Sequence, residues 1–417
     1  MVVAVGGGST FATAQPELIL LPSLRAQRGS SGGLILTQKF VAGVAEYAKC
    51  WPGSVTVLVR VDDRPTSDMD RVEVMPGDQP FAIEVRPDAE PALQRRLRDC
   101  AVVLAFLSRD EAQTIHLCRN LGVPLVYSSE YSAKTECEII DTQTRNPILR
   151  WRRKHWVRGV ERERVKALQH AAGIQCSGTP TYDVYRHVNA NALLFFDSRV
   201  RSADVIGEDE LARKCHAIRQ GRPLRLAFGG RLIAMKGVAD LPLVAQALAR
   251  RGVPFKFDIY GGGELEPALR RAIRGLGLED RVALRGVLDF ECGWIPTLKS
   301  EVDLFVCCHP QGDPSSTYPE VMSCGVPIAG YENDAFKGIV AHSGAGWLSP
   351  MRDPVALAAI LATLHTQRDA IADAAQQARR FAATHAFDLT FANRTRHLLE
   401  ASRLRSSAPY NTGAARS

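Results

Sequence analysis

Nowhere in the 417 residues is there an apolar run approaching the roughly 18 residues that a membrane span needs. The opening stretch, MVVAVGGGST, has too short an apolar run for a signal peptide and no basic lead-in. The expectation is a chain without a secretory leader that does not cross a membrane. No two of the ten cysteines are spaced C-x-x-C. They scatter from Cys50 to Cys324, with Cys307 and Cys308 adjacent in an apolar run. This spacing argues against a zinc site or a disulfide frame and suits buried thiols in a reducing compartment, so the expected location is cytoplasmic. With 46% hydrophobic and 23% charged residues the composition is that of a soluble globular protein, neither disordered nor fibrous.

The length exceeds one ordinary core, and two domains fit the usual size. The second half is the more regular. Runs with strand character (LRLAF at 224–228, FKFDIY at 255–260, RVAL at 281–284, VDLFVC at 302–307, VPIAG at 326–330) alternate with stretches of helical period. Over 237–250, Val238, Leu241, Val244, Ala245 and Leu248 fall on one helix face. Such alternation predicts an α/β fold of parallel βαβ units with helices on both sides of the sheet. The first half repeats the pattern more loosely. Strands are expected at 17–22, 54–60, 101–107 and 124–129, and a GSSGG turn at 29–33 leads to a helix ending near 49. The polar stretch 196–223 marks the junction. The expected division is a Rossmann-like domain over 1–200 and a second over 201–388. Residues 389–417 are expected as a helix packing back toward the N-terminal domain and then a disordered tail.

In open α/β sheets ligands bind outside the carboxyl ends of the strands, so the chemistry is sought in the loops that follow strands. One such loop is LAFGGRLIAMKG, 226–237. Its glycines, Gly230 among them, let backbone approach a ligand, and Arg231 and Lys236 then flank a phosphate at a helix start. A second is YGGGELEPAL, 260–269, with Gly262 and, at the expected helix start, Glu264. Gly286 after RVAL supplies a third turn. The fourth is QGDPSSTYPEVMSCGVP, 311–327. Ser315, Ser316 and Thr317 are helix-start residues whose free N–H groups suit phosphate, Glu320 suits a ribose diol, and Asp313 suits a second polyhydroxyl group. Each loop alone also fits a solvated turn or an ordinary helix cap.

The order GGRLIAMKG, GGGE, DPSSTYPEVMSCGVPI resembles the donor half of the retaining glycosyltransferases of family 4, over about 224–400. The resemblance implies a GT-B fold, two Rossmann-like domains facing each other across a cleft. It implies that Arg231 and Lys236 hold the diphosphate of a nucleotide sugar, that Ser315, Ser316 and Thr317 add backbone contacts, and that Glu320 binds the ribose. Two departures stand out. The family's first motif Glu falls on Gly312, and the nearest acid, Asp313, is one residue later. A His found in many members after an N-domain strand has no counterpart in PLVYSSEYS, which offers Glu130 instead. Arg231, Lys236, Asp313 and Glu130 are the expected catalytic set. Gly230, Gly262, Glu264, Gly286, Ser315, Ser316, Thr317 and Glu320 are expected on the donor, and Gly32 and Gly33 in an acceptor-side loop.

The implied function is transfer of a sugar, with retention, from a nucleotide diphosphate to a hydroxyl of a glycan, lipid-linked or small-molecule acceptor. No cofactor or essential metal is expected, since cations and helix N–H groups can stabilise the leaving diphosphate. Asp68-Met69-Asp70 is formally a D-x-D metal motif but sits in a Pro/Ser/Asp loop, and Gly6–Gly8 lies too close to the next strand for a parallel crossover. A nucleotide-sugar epimerase of the same fold and an inactive nucleotide-sugar-binding protein are the alternatives. Finally, residues 145–166 hold nine Arg or Lys against two Glu, as much excess charge as the whole chain's +7. They fit either a surface for an anionic partner, with peripheral contact at the inner face of a membrane foremost and nucleic acid not expected, or a solvated helix with Trp151 and Trp156 packed inward.

Overall fold

The computed structural model describes residues 16–62, 64 and 70–405. Gly6–Gly8, Asp68 and Met69 of the D-x-D, and the tail after 405 lie outside the described residues. By packing, the chain divides into two compact units. One holds the described residues up to Phe106, Thr114–Val126 and those from Leu398 on; the other holds Leu107–Gln113 and Tyr127–His397.

In the first unit the strands are β1 (Leu18–Leu21), β2 (Arg25–Arg28), β3 (Leu34–Thr37), β4 (Val55–Val61), β5 (Arg71–Val74), β6 (Ala82–Val85) and β7 (Val102–Phe106). β1 runs parallel between β4 and β7, with Leu18 opposite both Val55 and Val102, and β6 is parallel to β4. Every residue of β1 is buried, as a strand covered on both faces requires. The GSSGG turn differs from its expected place between a strand and a helix. It closes a hairpin, since β2 and β3 are antiparallel and β3 pairs onward with β5. The polar RAQR run hid β2 from the apolar pattern. Gly32, at φ +88°, makes the reversal, and Glu73 accepts from the N–H groups of Ser31 (3.0 Å) and Gly33 (3.1 Å).

β8 (Leu125–Ser129) leads into the second unit, which contains β9 (Gly173–Ser177), β10 (Ala192–Phe195), β11 (Leu224–Gly229), β12 (Phe255–Tyr260), β13 (Val282–Gly286), β14 (Leu304–Cys307), β15 (Ile328–Tyr331) and β16 (Gly346–Ser349). The last six form one parallel sheet in the order β13-β12-β11-β14-β15-β16. Phe228, Phe257 and Phe305 fill its middle. The predicted helix face is buried in full, Val238, Leu241, Val244, Ala245 and Leu248 each being 0% exposed. The α-helix begins only at Leu241, after a 3-10 turn over Val238–Asp240, because Gly237 is left-handed and Pro242 suits a first turn.

The strand order reverses between β11 and β14, the point where an open α/β sheet leaves a crevice for ligands. The loops after these two adjacent parallel strands, one carrying Lys236 and the other Asp313, therefore open side by side.

The basic segment forms the Pro147–His170 helix, capped by the Asn146 side chain on the N–H groups of Ile148 and Leu149. Val157, Val160, Arg164, Ala167 and Leu168 make its inner face. Trp151 and Trp156 fall off that line and are 65% and 53% exposed, so the inward packing expected of them does not occur. Among the described residues no helix is long and apolar enough to cross a membrane.

Candidate functional site

Three glycine turns at the ends of β11, β12 and β13 are laced together. Leu232 N–H donates to Gly262 O (2.9 Å), Leu265 N–H to Leu232 O (3.0 Å), and Gly261 N–H to Gly286 O (2.7 Å). Gly230 N–H completes the set on Tyr260 O at 3.1 Å. The approach of backbone to backbone explains the residue type. A Cβ on Gly261, which sits at φ +128°, would lie 1.9 Å from Gly230 O. Gly237, at φ +62°, ends the short turn that carries Lys236, and a Cβ there would meet Cys308 O at 1.7 Å. Glu264 is exposed in the turn ahead of the Glu266–Gly275 helix, and Glu266 takes the first-turn place expected of it.

Lys236 reaches across from the β11 loop to the β14 loop, where Nζ is 2.5 Å from Asp313 Oδ2 and 3.4 Å from Ser315 Oγ. Both members of the pair are largely out of solvent, at 12% and 8% side-chain exposure. Burial is the largest single influence and would raise the Asp313 carboxyl, but the charge and hydrogen bond of Lys236 and the other cationic influences around it, Arg231 included, together outweigh it, and the net shift is downward. The same surroundings keep His309 neutral, its pKa pushed down to about 3 by burial and by Lys236. His309 Nδ1 lies 3.2 Å from the buried Tyr318 hydroxyl. Arg231 itself is exposed.

Ser315, Ser316 and Thr317 are half-buried at the start of the Thr317–Ser323 helix. The hydroxyls do not cap it. The capping position, Ser316, is already helical (φ −58°, ψ −21°), which turns its side chain away from the free N–H groups. Glu320 is buried in the first turn, and its Oε1 accepts from Arg199 Nε at 3.1 Å. The Arg199 guanidinium lies over the Phe290 ring, 3.8 Å from its centroid.

The β14 loop is walled by elements that precede residue 200. Gly312 N–H donates to Glu138 Oε2 (3.1 Å), and Thr135 Oγ1 donates to Gly312 O (3.4 Å), both from the Ala133–Gln143 helix. Glu130, exposed just after β8, bonds the Tyr131 phenol. That phenol is pushed up by burial, then by Glu130 and by Asp313, which places the Glu130–Tyr131 turn within electrostatic reach of the Lys236 cluster. Of the residues singled out from sequence, Arg231, Lys236, Asp313, Ser315, Glu320 and Glu130 thus gather about the switch point. Gly32 and Gly33 belong to the hairpin of the first unit. Arg199, Phe290, Glu138 and His309 were not foreseen. Arg199 is 121 residues from Glu320, and no local pattern joins them.

Residues 223–367 match the family described as Glycosyl transferases group 1. The amylovoran biosynthesis glycosyltransferase AmsK of Erwinia amylovora is 33% identical over 149 residues, 34% of this chain and 36% of that protein. The alpha-D-kanosaminyltransferase of Streptomyces kanamyceticus is 28% identical over 237 residues, 56% of this chain and 59% of that protein. The matches thus span between about a third and three fifths of these relatives' own lengths. Among solved structures, that of Anabaena HepE in complex with UDP superposes with a TM-score of 0.62 at 14% identity, covering 93% of this chain and 100% of that one. The fold is GT-B, as the motif order implied.

Proposed function

We propose that the chain is a retaining glycosyltransferase that moves a hexosyl group from a nucleotide diphosphate sugar to a hydroxyl of a carbohydrate or lipid-linked acceptor, without an essential metal. One observation carries the reading: Lys236, Asp313 and Ser315 meet in a part-buried cluster at the strand-order reversal between β11 and β14, with the Arg231 charge beside it. The named relatives, an amylovoran biosynthesis glycosyltransferase and an alpha-D-kanosaminyltransferase, are consistent with it. In this reading 201–388 binds the donor and 1–200, with Gly32 and Gly33, serves the acceptor in the cytoplasm.

Each residue then has a task. Arg231 and Lys236 neutralise the diphosphate, and the backbone of 315–317 adds N–H donors. Gly230, Gly262 and Gly286 admit the nucleotide close to the backbone, with Glu264 at their rim. Glu320, with Oε1 on Arg199, offers Oε2 to the ribose. Asp313 faces the sugar and Glu130 orients the acceptor. The bond from the anomeric carbon to the phosphate oxygen breaks, and the acceptor oxygen bonds to that carbon on the face the phosphate leaves. The acceptor proton passes to the departing phosphate oxygen. Preorganised cations in a water-poor crevice stabilise the charge that builds there.

The test is a panel of nucleotide diphosphate sugars offered to purified protein, with product configuration read by NMR. One donor is expected to support transfer or slow hydrolysis with retention, in chelator as in buffer. Lys236→Ala is expected to weaken diphosphate binding by roughly ten- to a hundredfold, the loss of a charge-assisted contact. No donor-dependent reaction together with unchanged binding by Lys236→Ala would sink the reading. Solvent-hydrogen exchange at the sugar C2 without an acceptor would mark an epimerase, and tight binding without turnover an inactive binder.

A further inference from the structure

We propose that the outward face of the Pro147–His170 helix is a docking surface for an anionic lipid bilayer. Ile148, Leu149, Trp151 and Trp156 are 71%, 41%, 65% and 53% exposed, a concentration of large apolar side chains unusual on a solvated helix. Arg152, Arg158 and Arg162 are exposed along the same side. The remaining cations are engaged. Lys154 and Arg150 pair with Asp141, Arg164 pairs with Glu136 and Glu161, and Arg153 donates to Thr144. The three outward arginines have no ion pair among the described residues.

Tryptophan and aliphatic groups beside unpaired arginines are what a helix lying in a bilayer interface needs. The rings and the isoleucine enter the acyl boundary while the guanidinium groups stay at the phosphates. Charge complementarity selects the occupant. A second copy would set two positive faces together, and a nucleic acid would leave the aliphatic Ile148 and Leu149 without apolar cover. The helix packs on the Ala133–Gln143 helix through Lys154–Asp141 and Arg164–Glu136, and that helix in turn holds Gly312. A lipid-linked acceptor on the docked surface would thus lie one helix away from the β14 loop. That last step rests on the glycosyl-transfer reading; the docking does not.

The experiment uses the full chain with vesicles of phosphatidylcholine alone and of phosphatidylcholine with about one third phosphatidylglycerol. Co-sedimentation with the anionic vesicles only, weakened by salt, is expected. A blue shift of tryptophan emission on binding is expected to vanish in Trp151→Phe/Trp156→Phe. Arg152→Ser/Arg158→Ser/Arg162→Ser should lower partitioning at least roughly tenfold, because each cation near an anionic surface contributes separately. All these sites are exposed, so melting temperature and nucleotide diphosphate binding should be unchanged. Binding to neither vesicle, equal binding to both, wild-type partitioning by the arginine variant, or a dimer that Trp151→Ser dissolves would each overturn the proposal. Vesicle binding without any nucleotide binding would leave the docking surface standing and remove the transferase reading.

Discussion

Arg199 shows how a single side chain outside every motif can set the geometry of one inside. Its guanidinium carbon lies over the Phe290 ring, and Nε donates to one oxygen of the buried Glu320 carboxylate. In the proposed function the other oxygen is the one offered to the ribose diol. Arg199→Gln removes a charge-assisted hydrogen bond whose arginine is 36% exposed, so the discounted cost is about 1 kcal/mol, or roughly a fivefold loss in nucleotide diphosphate affinity. The more telling readout is selectivity. Calorimetry on a nucleoside diphosphate and its 2′-deoxy counterpart should show the ribose preference shrinking in the variant, and an intact preference would refute the positioning role. Glu320 itself was legible as a motif acid; its partner was not, because the contact crosses 121 positions of chain.

At the scale of elements, the glycine at 312, where the resemblance to family 4 puts an acid, has a structural cause. A Cβ on Gly312 would stand 3.2 Å from Thr135 Oγ1 and 3.4 Å from Asp334 Cβ, between two helices that close on the loop. Its N–H is already met by the Glu138 carboxylate, which burial pushes up despite that bond. Gly312→Glu should therefore overpack the junction and add a third acid beside Glu138 and Asp334. A destabilisation of about 1–3 kcal/mol is expected, read as a lower urea midpoint, with no gain in turnover. A gain would mean that the loop has room for the acid and that Asp313 is not its substitute. Five of the six strands after residue 220 were readable from apolar runs; the short GWLS strand β16 was not, nor was the β2–β3 hairpin, since its pairing depends on a neighbour and its sequence is polar.

For the molecule as a whole, acid should be destabilising well before the carboxylates titrate. His309 and His385 are held neutral in the folded state, their pKa values pushed down to about 3 and about 4 by burial first, with Lys236 and His342 adding. Between their ordinary value near 6.5 and those lowered values the unfolded chain binds protons that the folded chain refuses. The histidines' contribution to stability is thus complete above about pH 6.5 and declines as pH falls, by at most about 1.4 kcal/mol per pH unit for each. Glu138 and Glu161, raised by burial, bind protons earlier when folded and soften the decline. Asp313, lowered in the fold, adds its own loss only below its unfolded value near 3.8. Urea midpoints from pH 7 to 5 should fall, and His385→Leu, which keeps the packing against Phe196 and Phe381, should flatten the slope. A flat wild-type profile would mean that these rings titrate as if exposed.

The sequence by itself determined the strand-and-helix alternation of the second half, the glycine turns and the cations that follow them. These are local properties, written in periodicity, conformational tolerance and residue type. Only the tertiary structure decided which of them meet. The order of strands makes β11 and β14 neighbours and so joins Lys236 to Asp313 across 77 positions. A helix from before residue 200 closes on Gly312, and the phase of another turns two tryptophans outward. Such pairings depend on which surfaces the whole chain buries together, a sum over distant residues that no local window contains.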